Sequence, residues 1–279
     1  MSPYPDIPPI RPSETTDYIR CPKYWEYKHC QGWSAPPSAW EPQQLLGSAV
    51  HAGLAAYWRD KTGVLCEGSE AVKAVLDAGW PWDAPPEFSR DGSESLALKV
   101  LDKVLAWIGK EMSNAQPVMV EEPLGPDGHT TPDLVTDEDG VLTVTDWKTS
   151  WNLDADRVRY RLEGLDRPHQ FLHYAWAVGE RLGRPVQRIR KVVIVGSPRI
   201  IVRDATWTPT PVALEYWLTS ARQLWEDMAK VRAGERVASM NTNGCKMYGD
   251  KYPCTYWDAC WTCHGDEAQM AQFLVRETR

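Results

Sequence analysis

The sequence predicts an α/β chain: a mixed central sheet flanked by helices, with a helical cover and a C-terminal tail stapled by cysteines. Three observations predict it. Strand-like segments alternate with long helical ones, the pattern of helices packed on a sheet. Two of the strand segments, within Thr131 to Lys148, are joined by Asp139-Gly140, a dipeptide that supplies the positive φ angles of a two-residue hairpin turn. The tail, in turn, gathers Cys245, Cys254, Cys260 and Cys263 in a stretch too poor in aliphatic side chains to pack alone. The organisation expected is one α/β domain over 1–240, with a helical insertion at about 43–115, and a cysteine-rich tail over 241–279.

Taken in order, residues 1–12, MSPYPDIPPIRP, form a proline-rich arm. Ser13, with Glu14 and Asp17 close behind, marks a helix start. Cys21-Pro22 opens a second helix, KYWEYKHC, because proline suits a first helical turn. Residues 43–60 have the helical period and set Gly47, Val50, His51 and Leu54 near one face. A short helix at 67–79 meets the breakers Pro81, Pro85 and Pro86. Residues 92–113 form a longer amphipathic helix with Leu96, Val100, Leu101, Val104 and Trp107 on its apolar side. Pro117 to Glu122 is a strand that brings Glu121 and Glu122 toward the hairpin. Beyond the hairpin a polar, basic loop offers Arg157, Arg159 and Arg161 to a phosphate backbone. Pro168 precedes a helix on which Gln170 and Tyr174, four apart, share a face. Residues 188–195, RIRKVVIV, read as a buried strand. A turn at Gly196-Ser197-Pro198 leads to another strand ending at Trp207. Residues 211–233 form a helix ended by Gly234, and the sheet has about five strands.

The hairpin carries the chemistry. With Asp139 and Gly140 as the turn, Val135 faces Val144, Asp133 faces Asp146, and Lys148 lies on the face of Asp146. Opposed Cβ atoms lie about 4.5–5.5 Å apart, where two carboxylates repel. A divalent cation relieves that repulsion, since hard cations take carboxylate oxygens. A lysine alongside can steady developing negative charge or orient a water. Val135, Leu142 and Val144 share this face, so it is apolar at one end and charged at the other, as suits a cleft.

Composition bounds the partners. Of 279 residues, 43% are hydrophobic and 25% charged, enough for a proper core. No apolar run approaches a membrane span, and the N-terminal arm has no hydrophobic signal region, so the expectation is an intracellular, cytoplasmic protein that avoids membranes. A net charge of −7 argues against a uniformly basic nucleic-acid binder, but from Trp147 to Arg203 there are 12 Lys and Arg against 5 Asp and Glu, a local balance of +7. In such a setting clustered cysteines favour a metal over disulfides. Four thiolates suit structural zinc as well as iron–sulfur.

Pro132-Asp133 followed by Asp146-Trp147-Lys148 resembles the signature of the PD-(D/E)XK nuclease superfamily, whose fold is the restriction-endonuclease-like mixed sheet. GSAVH around His51, Gln170-x-x-x-Tyr174 after the Asp-x-Lys strand, and cysteines at both ends are similar to its RecB-like branch, which includes iron–sulfur exonucleases associated with CRISPR adaptation. The resemblance implies that His51 joins Asp133 and Asp146, with the Trp147 carbonyl, around magnesium or manganese. It implies that Lys148 is catalytic and that Gln170 and Tyr174 position the substrate. It also implies a [4Fe–4S] cluster on Cys21, Cys245, Cys254 and Cys260. The interval between Cys254 and Cys260 matches the family; the one before it is longer, so an alternative set exchanges Cys245 for Cys263. Structural Zn²⁺ stays open. The function implied is a metal-dependent DNA exonuclease acting on single-stranded ends in recombination or repair, phage-encoded by association. A homo-oligomer or a recombination partner protein are its expected companions. Two rivals stand beside it: a non-catalytic DNA-binding or recombination accessory protein, and a zinc-stapled scaffold.

Overall fold

A computed structural model describes residues 10–34, 42–60, 65–80, 89–125, 130–151, 158–159, 162, 168–196, 199–245 and 254–276. It forms two compact units, one of residues 40–211 and one of residues 1–39 with 212–279. The arm at 1–9, the prolines 81, 85 and 86, Arg157, Arg161 and the turn residues Ser197 and Pro198 lie outside the described residues. Among the described residues, no helix is long and apolar enough to cross a membrane.

The unit of residues 40–211 is built on a five-stranded sheet. Helices α3 (Pro42–Arg59), α4 (Leu65–Gly79) and α5 (Arg90–Glu111) precede the strands β2 (Ala115–Val120), β3 (Leu134–Glu138) and β4 (Val141–Ser150). Then come α6 (Pro168–Leu182), β5 (Arg188–Val195) and β6 (Ile201–Trp207). The strands lie side by side in chain order, antiparallel except for β4 and β5, which run parallel. That is the mixed, helix-flanked sheet the sequence predicts. A parallel pair needs a crossover, and α6 lies within it.

The hairpin turn forms as expected. Asp139 (φ 54°) and Gly140 (φ 87°) are both left-handed, which matches the twist of the strands they join. Asp137 Oδ1 accepts from the Gly140 N–H at 2.7 Å, and Arg184 reaches both Asp137 Oδ2 (2.9 Å) and the Gly140 carbonyl (3.1 Å). The turn is thus pinned from outside as well as from within, and it fixes the register Val135 to Val144 and Leu134 to Thr145.

Helices cover both faces of the sheet, so β4 and β5 are buried almost throughout. On one face Leu54, Val100, Leu101, Val104 and Ile108 pack with Leu134, Trp147, Val192 and Ile194. On α5 the fully buried positions are Ala97 and Ile108 with Val100, Leu101 and Val104, while Leu96 and Trp107 are only partly buried. On the other face Phe171 of α6 is buried edge-on to Trp207, at 5.0 Å. Charged residues inside a buried strand need partners. Arg190 accordingly grips Glu138 with two hydrogen bonds, at 2.6 and 2.9 Å, and Arg188 adds a third at 2.8 Å.

In the other unit, α1 (Pro12–Arg20) leads to α2 (Pro22–Trp25), which continues as a π-helix over Glu26–Cys30. Helix α7 (Pro211–Arg232) ends before Gly234 (φ 75°). Glu14, buried, accepts from Trp25 Nε1 (3.3 Å) and Arg232 (2.9 Å), and Trp225 Nε1 donates to Thr15 Oγ1 at 3.2 Å, stitching α1 to α7. The tail adds the short helices α8 (Thr242–Cys245), α9 (Trp257–Trp261) and α10 (Glu267–Met270). Its last described residues, β7 (Val275–Arg276), pair antiparallel with β1 (Trp33–Ser34). The N-terminal and C-terminal segments are therefore physically joined.

Candidate active site

Extending the hairpin register by one residue from Leu134 and Thr145 places Asp133 opposite Asp146. Asp133 sits just before β3 and its Oδ2 accepts the Trp147 N–H at 2.7 Å. Asp146 is 1% exposed. Its Oδ1 accepts from Lys148 Nζ at 2.8 Å and from Gln170 Nε2 at 3.4 Å. The same Gln170 amide donates to the Tyr174 hydroxyl at 2.7 Å, across one turn of α6. From α3, His51 Nδ1 approaches Asp133 Oδ1 to 3.8 Å. Asp133, Asp146, Lys148, Gln170, Tyr174 and His51, scattered over the sequence, thus converge at one end of the sheet.

Burial, then the charge of Asp146, push the Asp133 carboxyl up to about 8. Burial, then the Lys148 charge, push the His51 imidazole down to about 4, so it is neutral at pH 7 and free to act as a ligand. Asp146 Oδ2 is buried and has no hydrogen-bond partner. A buried carboxylate oxygen without a donor is costly. An oxygen-seeking divalent cation is chemically suited to such a pair, so the donors fit one. Among the described residues no three His, Cys, Asp or Glu side chains are drawn together as a closed metal-binding set.

Two features at this site go beyond the sequence reading. Glu121 is left-handed (φ 48°), an unfavourable backbone for glutamate. Its N–H donates to the Asp133 carbonyl at 3.2 Å and its carboxylate pairs with Arg59 of α3 at 3.0 Å. Its negative charge is one of the influences raising Asp133. Glu121 is thus beside the pair, whereas nothing in the sequence separated it from Glu122. The second feature is Gly47, where a Cβ would stand 2.6 Å from Thr149 Oγ1. Its only sequence signal was a glycine one turn before His51.

The cysteines form a second group, within the unit of the two chain ends. Cys21 Sγ accepts the Asn241 N–H at 3.3 Å, Cys245 Sγ contacts the Asn241 carbonyl at 3.7 Å, and the Cys254 N–H donates to the Cys245 carbonyl at 3.0 Å. Burial, then the negative charges of Cys21, Cys254 and Cys245, push the Cys260 thiol up to about 11. Cys21, Cys245 and Cys254 thus lie close enough to influence Cys260, although among the described residues no three cysteines are drawn together as a metal-binding set. Cys263 is raised by burial and by Asp258 and Asp266 instead, and Cys30 by burial against the opposing pull of Arg232.

One end of the mixed sheet thus carries a carboxylate pair, Asp146 buried and Asp133 partly so, with Lys148 two residues on and a neutral His51 beside it. The particular family follows from comparison. A family model described as the PD-(D/E)XK nuclease superfamily matches residues 10–261, and the chain belongs to that superfamily. No curated protein matches the chain. Among solved structures, the crystal structure of a "putative exonuclease" from Eubacterium rectale at 2.19 Å resolution is similar in fold, with a TM-score of 0.53 and 13% identity over 95% of this chain and 92% of the other. Membership makes the protein a nuclease by family, with DNA the substrate the family implies and Mg²⁺ or Mn²⁺ its usual ions.

Proposed function

We propose that the protein is a divalent-metal-dependent deoxyribonuclease of exonuclease type, acting on single-stranded DNA ends in recombination or repair. One observation carries the site assignment: the buried, partnerless Asp146 Oδ2 beside an Asp133 that burial and like charge hold near 8. His51, Asp133, Asp146 and the Trp147 carbonyl would hold magnesium or manganese. When bound, the ion activates a water and polarises the scissile phosphate. Lys148 works from Nζ, whose ammonium would orient that water and offset charge on the phosphate. Its hydrogen bond to Asp146 Oδ1 keeps the ammonium at the site. Gln170 bridges Asp146 and the Tyr174 hydroxyl, so one amide ties the strand position to the carboxylate. Exonuclease character comes from the resemblance to the RecB-like branch, and the loop carrying Arg157, Arg159 and Arg161 is the proposed phosphate contact, since Arg184, Arg188 and Arg190 are engaged with Asp137 and Glu138.

Cys21, Cys245, Cys254 and Cys260 are the proposed holders of a [4Fe–4S] cluster, with structural Zn²⁺ the chemical rival. The influence of Cys21, Cys254 and Cys245 on Cys260, and the contacts of Cys21 and Cys245 with Asn241, support the quartet. Its role is to clasp the two ends of the chain.

The deciding experiment is cleavage of end-labelled single-stranded DNA with Mn²⁺. Loss of cleavage in both Asp146→Ala and Lys148→Ala, with unchanged circular dichroism, is the expected result. Cleavage that survives both changes sinks the assignment, and a wild-type protein that binds DNA without cutting it would favour an accessory role.

A further inference from the structure

We infer that Gly47 is a positioning residue: its missing side chain lets α3 close on β4, and that approach sets where His51 stands relative to the carboxylate pair. The inference rests on the metal site proposed above. Gly47 lies one helical turn before His51, so the two project from nearly the same side of α3. A Cβ on Gly47 would sit 2.6 Å from Thr149 Oγ1, closer than real contacts allow, and 3.7 Å from Thr149 Cβ, an ordinary contact. Thr149 follows Lys148 on β4 and lies on the opposite face, the one that α3 covers. Ala49, Val50 and Leu54 on either side of His51 are fully buried, so any shift of α3 moves His51 with it. Gly53 is similarly hemmed, with a Cβ there meeting Leu101 at 2.8 Å. A methyl group at 47 therefore forces either Thr149 or α3 itself to move, and movement of α3 carries His51 away from Asp133.

The contact involves one atom on each side, so it can be relieved by a second change. Thr149→Ala removes Oγ1 and leaves the Cβ at its tolerable distance. Gly109 of α5 supplies a matched control, because a Cβ there meets nothing within 4 Å. Neither Thr149 nor Gly109 belongs to the proposed catalytic or binding machinery.

The test is calorimetric titration of the full chain with Mn²⁺ alone, with circular dichroism to confirm folding. Gly47→Ala is expected to weaken Mn²⁺ binding about tenfold or more. Gly109→Ala and Thr149→Ala are expected to leave it unchanged, and Gly47→Ala combined with Thr149→Ala to restore it to within about threefold of wild type. Rescue by removing a neighbouring atom is not a result that general destabilisation would give. A Gly47→Ala protein that binds as wild type overturns the inference. So does a double variant that stays weak or unfolded. If wild-type protein takes up no Mn²⁺, or takes it up equally with Asp146→Asn, the metal reading itself fails and this inference falls with it. Failure confined to the Gly47 variants leaves that reading standing.

Discussion

At the scale of single residues, this protein tolerates charges where a folded chain ordinarily avoids them. Asp133 and Asp146 are held together, and burial with the Asp146 charge pushes the Asp133 carboxyl up to about 8. Asp133→Asn keeps an oxygen to accept the Trp147 N–H while removing a carboxyl that the folded chain must keep protonated at neutral pH, at a cost to stability. We predict that this variant melts a few degrees higher than wild type in metal-free buffer at neutral pH while losing cleavage; a lower melting temperature would contradict the electrostatic account. His173 offers a pH-dependent counterpart. It is 5% exposed, lies 3.2 Å from Thr130 Oγ1, and burial lowers its imidazole to about 4 from 6.5. A base lowered on folding stays neutral in the folded chain while the unfolded chain takes up a proton. Stability is therefore complete above about 6.5 and is lost as pH falls toward 4, by about 3 kcal/mol. Melting curves of His173→Asn over that window are expected to show a shallower slope than wild type.

At the scale of elements, the hairpin decides most. Its two turn residues are both left-handed, so a Cβ at Gly140 strains the backbone even though open space surrounds it. Gly140→Ala is predicted to cost about 1–2 kcal/mol, the penalty for an L-residue in that region. Urea unfolding with an unchanged m-value would check it. Helix α5 is held at its start by Ser89, whose Oγ accepts the Gly92 N–H at 3.0 Å. Ser89→Ala should lose about 1 kcal/mol by the same measurement, as helix N-caps generally do. The hairpin turn was legible because turn chemistry is local, whereas α5, expected from residue 92, starts at Arg90 behind the Ser89 cap. The π-helix at Glu26–Cys30 and the two-residue pairing of β1 with β7 were not legible. Periodicity cannot tell a π-turn from an α-turn over five residues, and two-residue strands leave no pattern.

At the scale of the whole molecule, the chain ends matter as much as the sheet. Cys21 comes from the start of the sequence and Cys245, Cys254 and Cys260 from its tail, and all lie in one compact unit. If the quartet holds a cluster, Cys21→Ser should abolish the broad absorbance near about 400 nm expected of iron–sulfur proteins. Cys263→Ser should retain it. Anaerobically purified wild type that is colourless and carries stoichiometric zinc would transfer the site to zinc. Either metal should make thermal stability sensitive to chelators, because a metal that binds only the folded chain stabilises it.

What the sequence determined by itself is the set of local commitments. The turn at Asp139-Gly140 dictated the register of β3 and β4, and with it the meeting of Asp133 and Asp146. Helical spacing put Gln170 and Tyr174 on one face. What only the tertiary structure decided is which distant groups join them. His51 reaches Asp133 because α3 packs on the sheet, Gln170 reaches Asp146 because α6 crosses over β4, and Glu121 comes beside the pair through a strained residue at the end of β2. The physical reason is range. Backbone geometry propagates a few residues along the chain, whereas burial of apolar faces brings together segments that no local rule connects.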